Sequence, residues 1–218
     1  MDFSTPDMIR NITYLGRYYK DGEIIFSAVM FGGHLGIFTG FKNQAFSLNI
    51  NQRSSESTPY KVYENIKLIG EGYNEVAWAI RDVLTQCEDY DCALDYLSSS
   101  PIIAPTYYIL AGVKHDEGAV ITRERFEPAA IEVLSETNWY VSITNDDQFA
   151  GQCQTRCKVV KENMEELGRE NLNVESLMND VMLRNFTLNE ISIYSTISGP
   201  SEGLFETIPV KSDFPAMP

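Results

Sequence analysis

Ile102-Ile103-Ala104-Pro105-Thr106-Tyr107-Tyr108-Ile109-Leu110-Ala111-Gly112 is a β-branched and aromatic run, preceded by Pro101 and closed by Gly112. Three further short runs follow it: Ala119-Val120-Ile121-Thr122, Ala130-Ile131-Glu132-Val133-Leu134 and Trp139-Tyr140-Val141-Ser142-Ile143-Thr144. Turn residues separate them at hairpin distances (Asp116-Glu117-Gly118, Glu127-Pro128, Glu136-Thr137-Asn138), so residues 101–147 predict a four-stranded antiparallel meander. Its last strand leads into Asn145-Asp146-Asp147. A polar cluster at a strand end suits a binding or catalytic loop held by a rigid sheet, and it equally suits an ordinary turn rich in Asn and Asp.

Upstream of this block lies a second set of strands. Glu23-Ile24-Ile25-Phe26-Ser27-Ala28-Val29-Met30-Phe31 is nearly continuous in apolarity, which predicts a strand covered on both faces. After Gly32-Gly33, the stretch His34-Leu35-Gly36-Ile37-Phe38-Thr39-Gly40-Phe41-Lys42 reads as a glycine-rich strand whose small residues let something approach the backbone closely. Ala45-Phe46-Ser47-Leu48-Asn49-Ile50-Asn51 then alternates at period two. A weaker strand is expected around Ile12-Thr13-Tyr14-Leu15.

Between the two sets the pattern is helical. Helices are expected after Pro59, after an Asn74 cap, and over residues 89–98. Beyond Asn145, residues 157–170 and 174–182 predict helices, and residues 190–198 with 203–209 a closing hairpin. Strands, helices, strands, helices, strands in that order imply an α+β fold of two sheets with helical layers outside them.

The 218 residues suffice for one large domain or two small ones, and no apolar run approaches the length that crosses a bilayer as a helix. A net charge of −14 argues against nucleic acid, which is bound through a basic face. Acidity suits work at low pH, and it also suits simple solubility. The polar start Met1-Asp2-Phe3-Ser4 lacks the apolar core of a secretion signal. Two glycosylation sequons are nevertheless present, at Asn11 and Asn185. Cys87/Cys92 and Cys153/Cys157 form two close pairs, compatible with disulfides, with free thiols, or with zinc at poor spacing.

Searches for known chemistry by motif are mostly negative. The sequence has no G-x-S-x-G, no H-E-x-x-H and no phosphate-binding loop, and Gly70-Glu71-Gly72 is only a fragment of a dinucleotide fingerprint. Neither histidine, His34 nor His115, stands in a nucleophile–base arrangement; His34 reads as a packed or channel-lining side chain.

Three blocks carry a resemblance. Gly33 to Lys42 followed by Phe46-Ser47-Leu48, Ala104 to Leu110 continuing through Glu117 to Arg125, and Trp139-Tyr140-Val141 running into Thr144-Asn145 are similar to the β-subunit of acid ceramidases and N-acylethanolamine acid amidases. Weaker similarity reaches Phe205-Glu206-Thr207. The resemblance implies an N-terminal-nucleophile hydrolase fold, an αββα sandwich of two antiparallel sheets. On that reading residues 1–218 form one β-subunit domain, incomplete at its N-terminus, with the first strand region missing and an open sheet edge where it belongs. The activity implied is hydrolysis of an N-acylated lipid by a cysteine that also carries the free α-amine, without cofactor or metal. The same resemblance implies a lysosomal or secreted protein, an α-subunit or upstream segment completing the sheet, and contact with a membrane surface.

Carried over by position, Asp2 matches the family's active-site aspartate, Asn145 the asparagine that donates to the oxyanion, and Arg156 a late active-site arginine. Gln52, in Asn51-Gln52-Arg53, stands where the family has a glutamate. Glutamine keeps the shape but neither the charge nor the capacity to take a proton. The nucleophile itself would lie upstream of Met1. A relative without catalysis, binding acyl lipid or a partner chain, is the competing reading.

Overall fold

The computed structural model describes residues 6–53, 59–184 and 186–210. A short helix, α1 (Pro6–Ile12), leads into β1 (Thr13–Lys20), β2 (Glu23–Phe31), β3 (Thr39–Lys42) and β4 (Phe46–Gln52). Three helices follow, α2 (Pro59–Gly70), α3 (Val76–Gln86) and α4 (Tyr90–Ser99), then β5 (Thr106–Ala111), β6 (Gly118–Arg123) and β7 (Pro128–Val133). After α5 (Thr155–Leu167) and a helical turn running into a π-helical stretch (Leu177–Met182), the hairpin β8 (Tyr194–Gly199) and β9 (Leu204–Pro209) closes the fold.

The two expected meanders are one. All seven of β1 to β7 lie in a single antiparallel sheet in chain order, because β4 pairs with β5 from Ser47↔Ala111 to Gln52↔Thr106 across the whole helical insertion. The hairpin β8–β9 is the second, two-stranded sheet.

Alternation along the strands assigns the layers. Phe26, Ala28 and Met30 of β2, Phe46, Leu48 and Ile50 of β4, and Tyr108 and Leu110 of β5 join Ile80, Val83, Leu84 and Leu97 in the main core. That face therefore packs against α3 and α4. On the other face Val29 and Phe31 cluster with Ile193 and Tyr194, Phe41 stacks on Phe205 at 5.1 Å between ring centres, and Ser198 donates to Ser47. So β2 is covered on both sides, as its unbroken apolarity predicted.

Several expectations are corrected. Residues 139–144 form no strand, although they alternate correctly. Instead Asn51 Nδ2 donates to the carbonyls of Ile143 and Thr144, so this segment is tethered to the end of β4 by a side chain rather than by a ladder. Only Thr39–Lys42 of the glycine-rich stretch is a strand, and what approaches its backbone is α3. A Cβ on Gly40 would lie 2.4 Å from Leu84 Cδ1, and one on Gly36 2.7 Å from the Ala77 Cβ. The cap of α3 is Glu75, whose carboxylate accepts from the amides of Ala77 and Trp78; Asn74 donates to Asp82 instead.

Both cysteine pairs are disulfides, Cys87–Cys92 joining α3 to α4 and Cys153–Cys157 bracketing the start of α5. Asn11 is exposed at the end of α1; Asn185 and Asp2 lie outside the described residues. The outer side of β1 is unpaired among the described residues, with Tyr14, Leu15 and Tyr19 exposed beside it.

Because Gly40 admits the Leu84 side chain, Gly40→Ala should destabilise the fold by about 1–3 kcal/mol through overpacking. Combined with Leu84→Ala, part of that loss should vanish, so urea melts of the two single variants and the double variant should give a clearly non-additive cycle.

Candidate active site

One end of the large sheet gathers the polar chemistry. Gln52, Thr106 and Arg123 form a row across β4, β5 and β6, each directly opposite the next. Residues 143–154 cross this end, and all three members of Asn51-Gln52-Arg53 hold them. Asn51 Nδ2 grips the carbonyls of Ile143 and Thr144, both at 3.3 Å. The main-chain oxygen of Gln52 accepts from Asn145 Nδ2 at 2.7 Å. Arg53 Nε and Nη2 donate to the two oxygens of Asp147 at 2.8 and 2.7 Å.

The following turn is equally determined. The buried Asp146 carboxylate accepts from Thr144 Oγ1 at 3.2 Å and from the Gln154 amide at 3.0 Å. The Cys153–Cys157 bridge then ties the chain two residues before α5 to the first turn of that helix, which carries Arg156. Arg156 Nη2 reaches back and donates to Asn145 Oδ1. Three of the sequence-derived site residues, Gln52, Asn145 and Arg156, therefore converge although 104 positions separate the first from the last (156 − 52).

These contacts fix the Asn145 amide, since its oxygen faces a guanidinium and its nitrogen a carbonyl. A carboxamide nitrogen carries two hydrogens, and Gln52 takes one; the other can serve an external oxygen. Arg156 polarises the amide in the direction that strengthens this donor. The Gln52 side chain itself is exposed.

Burial and charge shape the surroundings. The Arg53 guanidinium, hydrogen-bonded to Asp147, holds that carboxylate below its ordinary range against the opposing effect of desolvation, and Tyr107 Oη adds a bond at 2.7 Å. Desolvation pushes the Tyr107 phenol up, with Asp147 acting the same way, so this hydroxyl is a fixed donor and not an acid. At the far end of the row, Arg123 is fully buried and touches no carboxylate among the described residues; it donates to the carbonyls of Leu97, Ser98 and Ser100, which close the C-terminal end of α4. Neither histidine takes part: His34 lies against Phe38, and His115 sits exposed in the β5–β6 turn.

Arg53, Asp147 and Tyr107 were not singled out from the sequence. Asp147 lay in the flagged Asn-Asp-Asp cluster, and Arg53 beside the flagged Gln52, but nothing in the spacing shows that they pair.

Comparison with known proteins bears on this arrangement. No family model matches the sequence. The N-acylethanolamine-hydrolyzing acid amidase of Rattus norvegicus is 31% identical over 209 residues, covering 93% of this chain and 56% of that protein. The acid ceramidase of Homo sapiens is 32% identical over 212 residues, covering 92% of this chain and 52% of that protein. The chain thus spans about half the length of the curated relatives it matches. Among solved structures, the Caenorhabditis elegans N-acylethanolamine-hydrolyzing acid amidase ortholog superposes with a TM-score of 0.84 at 26% identity, covering 92% of this chain and 86% of that one. The chain is similar along most of its length to acid ceramidases and N-acylethanolamine acid amidases, and its two antiparallel sheets with helices have the architecture of that structure, the N-terminal-nucleophile hydrolase fold.

Because Asp147 titrates below its unfolded value of about 3.9, its contribution is complete above that pH and disappears only as the pH falls through the lower, folded value. Asp147→Asn should cost roughly 1.5–3 kcal/mol at neutral pH, the range for hydrogen bonds to charged groups. Urea melts should show this difference unchanged down to about pH 4 and shrinking below it.

Proposed function

We propose that this chain forms the nucleophile-accepting part of an amidase that releases a fatty acid from an N-acylated lipid, a ceramide or an N-acylethanolamine. The observation that carries the reading is the convergence of Asn145, Arg156 and the Gln52 backbone at one sheet end, in a chain related along nearly its whole length to enzymes named for that chemistry. In this reading residues 1–218 are one β-subunit-like domain, and an upstream or α-subunit segment completes the sheet.

The reaction needs a thiolate, and it does not come from within these residues: all four cysteines are in disulfides. The attacking sulfur belongs to a cysteine upstream of Met1 whose own amine serves as base. Attack on the amide carbonyl turns its oxygen into an oxyanion. The second hydrogen of Asn145 Nδ2 stabilises that oxygen, while Arg156 holds the Asn145 carbonyl end and raises the polarity of the donor. Asp2 orients the nucleophile's amine. Collapse of the tetrahedral intermediate expels the lipid amine, and water hydrolyses the acyl-enzyme. Two disulfides, an acidic composition and the exposed Asn11 sequon support a lysosomal or secreted setting, and the lipid substrate brings the protein to a membrane surface.

Gln52 supports a second reading, a non-catalytic relative that binds acyl lipid or a partner chain, because a glutamine cannot exchange a proton where the family carries a glutamate.

N-terminal sequencing of the protein purified from its source distinguishes the two. A mature chain beginning at a cysteine upstream of Met1 should hydrolyse N-acylated lipids at acidic pH. Asn145→Ala should then lower kcat by about 10²–10³, as loss of one oxyanion donor does. Gln52→Glu should raise the rate if the missing carboxylate limits it. A mature chain beginning at Met1 without hydrolysis supports the binding reading.

A further inference from the structure

Arg53 makes more contacts than an ion pair requires. Its side chain is only 11% exposed. Nε and Nη2 clasp Asp147 at 2.8 and 2.7 Å, Nη1 donates to Glu124 Oε1 at 2.6 Å and to the carbonyl of Arg123 at 3.1 Å, and its carbon lies 6.0 Å from the centre of the Phe149 ring. Arg53 therefore holds the strand row on one side, through the β6 end, and the crossing segment on the other, through Asp147 and Phe149.

The crossing segment has three attachments to the triplet, and they differ in strength. The Asn51 contacts are neutral and long, at 3.3 Å. The Asn145–Gln52 bond is neutral and uses a donor that the proposed chemistry partly needs. The Arg53–Asp147 contact is charged and bidentate, the geometry that fixes both distance and angle. Directly beyond it, Asp146 attaches the same segment to Gln154, and the Cys153–Cys157 bridge carries the placement to Arg156. Asn145 thus sits between the sheet and α5. Among the described residues two sheet side chains hold Asp147, Tyr107 Oη by one bond at 2.7 Å and Arg53 by two, and Arg53 alone brings the opposite charge and a bidentate grip.

We propose that Arg53 is the positioning residue of the site. By clasping Asp147 it sets Asn145 against the Gln52 carbonyl and, through the Asp146 turn, sets Arg156 against Asn145. Its catalytic meaning rests on the amidase reading above, whereas its mechanical effect does not. Lysine cannot replace it, because an ammonium is a point donor without the planar fork that binds both carboxylate oxygens.

The test pairs hydrogen exchange on the 218-residue chain with turnover by the protein carrying its native N-terminus, each in the variants Arg53→Lys, Asp147→Asn and the double variant. In amide hydrogen exchange, residues 144–154 should exchange at least about tenfold faster in either single variant, the double variant should add little, and β2 and α3 should accelerate by no more than the stability lost in the urea melts. Wherever the wild type turns over N-acylated lipid, Arg53→Lys should lower kcat by about tenfold or more with KM within about twofold, the pattern of an interaction used in the transition state. Unchanged exchange over residues 144–154, or wild-type kcat in an active Arg53→Lys enzyme, overturns the proposal. Exchange of residues 144–154 at the same opening free energy as β2 and α3 in the variants also overturns it, since the segment would then open only with the whole fold. If exchange responds as stated while the mature protein purified from its source hydrolyses no N-acylated lipid, the clamp stands and the amidase reading falls.

Discussion

The large sheet must be covered on both faces, and the rest of the architecture answers that requirement. Val29 and Phe31 point one way from β2, and Phe26, Ala28 and Met30 the other, so a single strand demands two separate partners. The helices α3 and α4 supply one and the β8–β9 hairpin the other. Close approach of α3 depends on Gly36 and Gly40, where no side chain intervenes. The hairpin face is more polar: Thr39, Ser47, Tyr194 and Ser198 meet through hydroxyls, and a cavity of about 250 Å³ remains between the layers. One face thus seals chiefly by apolar packing, and the other by a smaller apolar cluster joined by hydroxyl hydrogen bonds.

This asymmetry places the chemistry. At one sheet end Gln52, Thr106 and Arg123 form a straight row whose last two members are buried. Arg123 turns back to close α4, while the Asn51-Gln52-Arg53 triplet reaches outward to the crossing segment. Consecutive residues at a strand end alternate in direction, so a triplet can grip one passing segment by a side chain, a backbone oxygen and a second side chain.

Much of this was legible in the sequence. The strands β2, β4, β5 and β6 announce themselves because they are buried on one or both faces, and α3 and α4 by their helical spacing. β1 was harder: an edge strand, mostly exposed, has weak alternation, although Asp21-Gly22 with positive φ at both positions is the two-residue turn of a hairpin. The pairing of β4 with β5 left no local trace, since three helices separate them. Residues 139–144 carry the pattern of a strand and are not one, because the Asn51 amide satisfies backbone groups that a ladder would otherwise take. At the site, resemblance located Asn145, Arg156 and Gln52, but single positions cannot show that Arg53 pairs with Asp147, which is a fact of geometry alone.

The two disulfides close loops of only a few residues, between partners 5 and 4 positions apart. Cross-links that short remove little freedom from the unfolded chain compared with those closing long loops. Their effect is local alignment, at the α3–α4 corner and at the turn that carries Arg156. Production in a reducing cytosol would therefore lower stability by only about 2 kcal/mol per bridge while leaving this arginine loosely held. For this fold, a good melting curve certifies the scaffold and says little about the corner on which the chemistry turns.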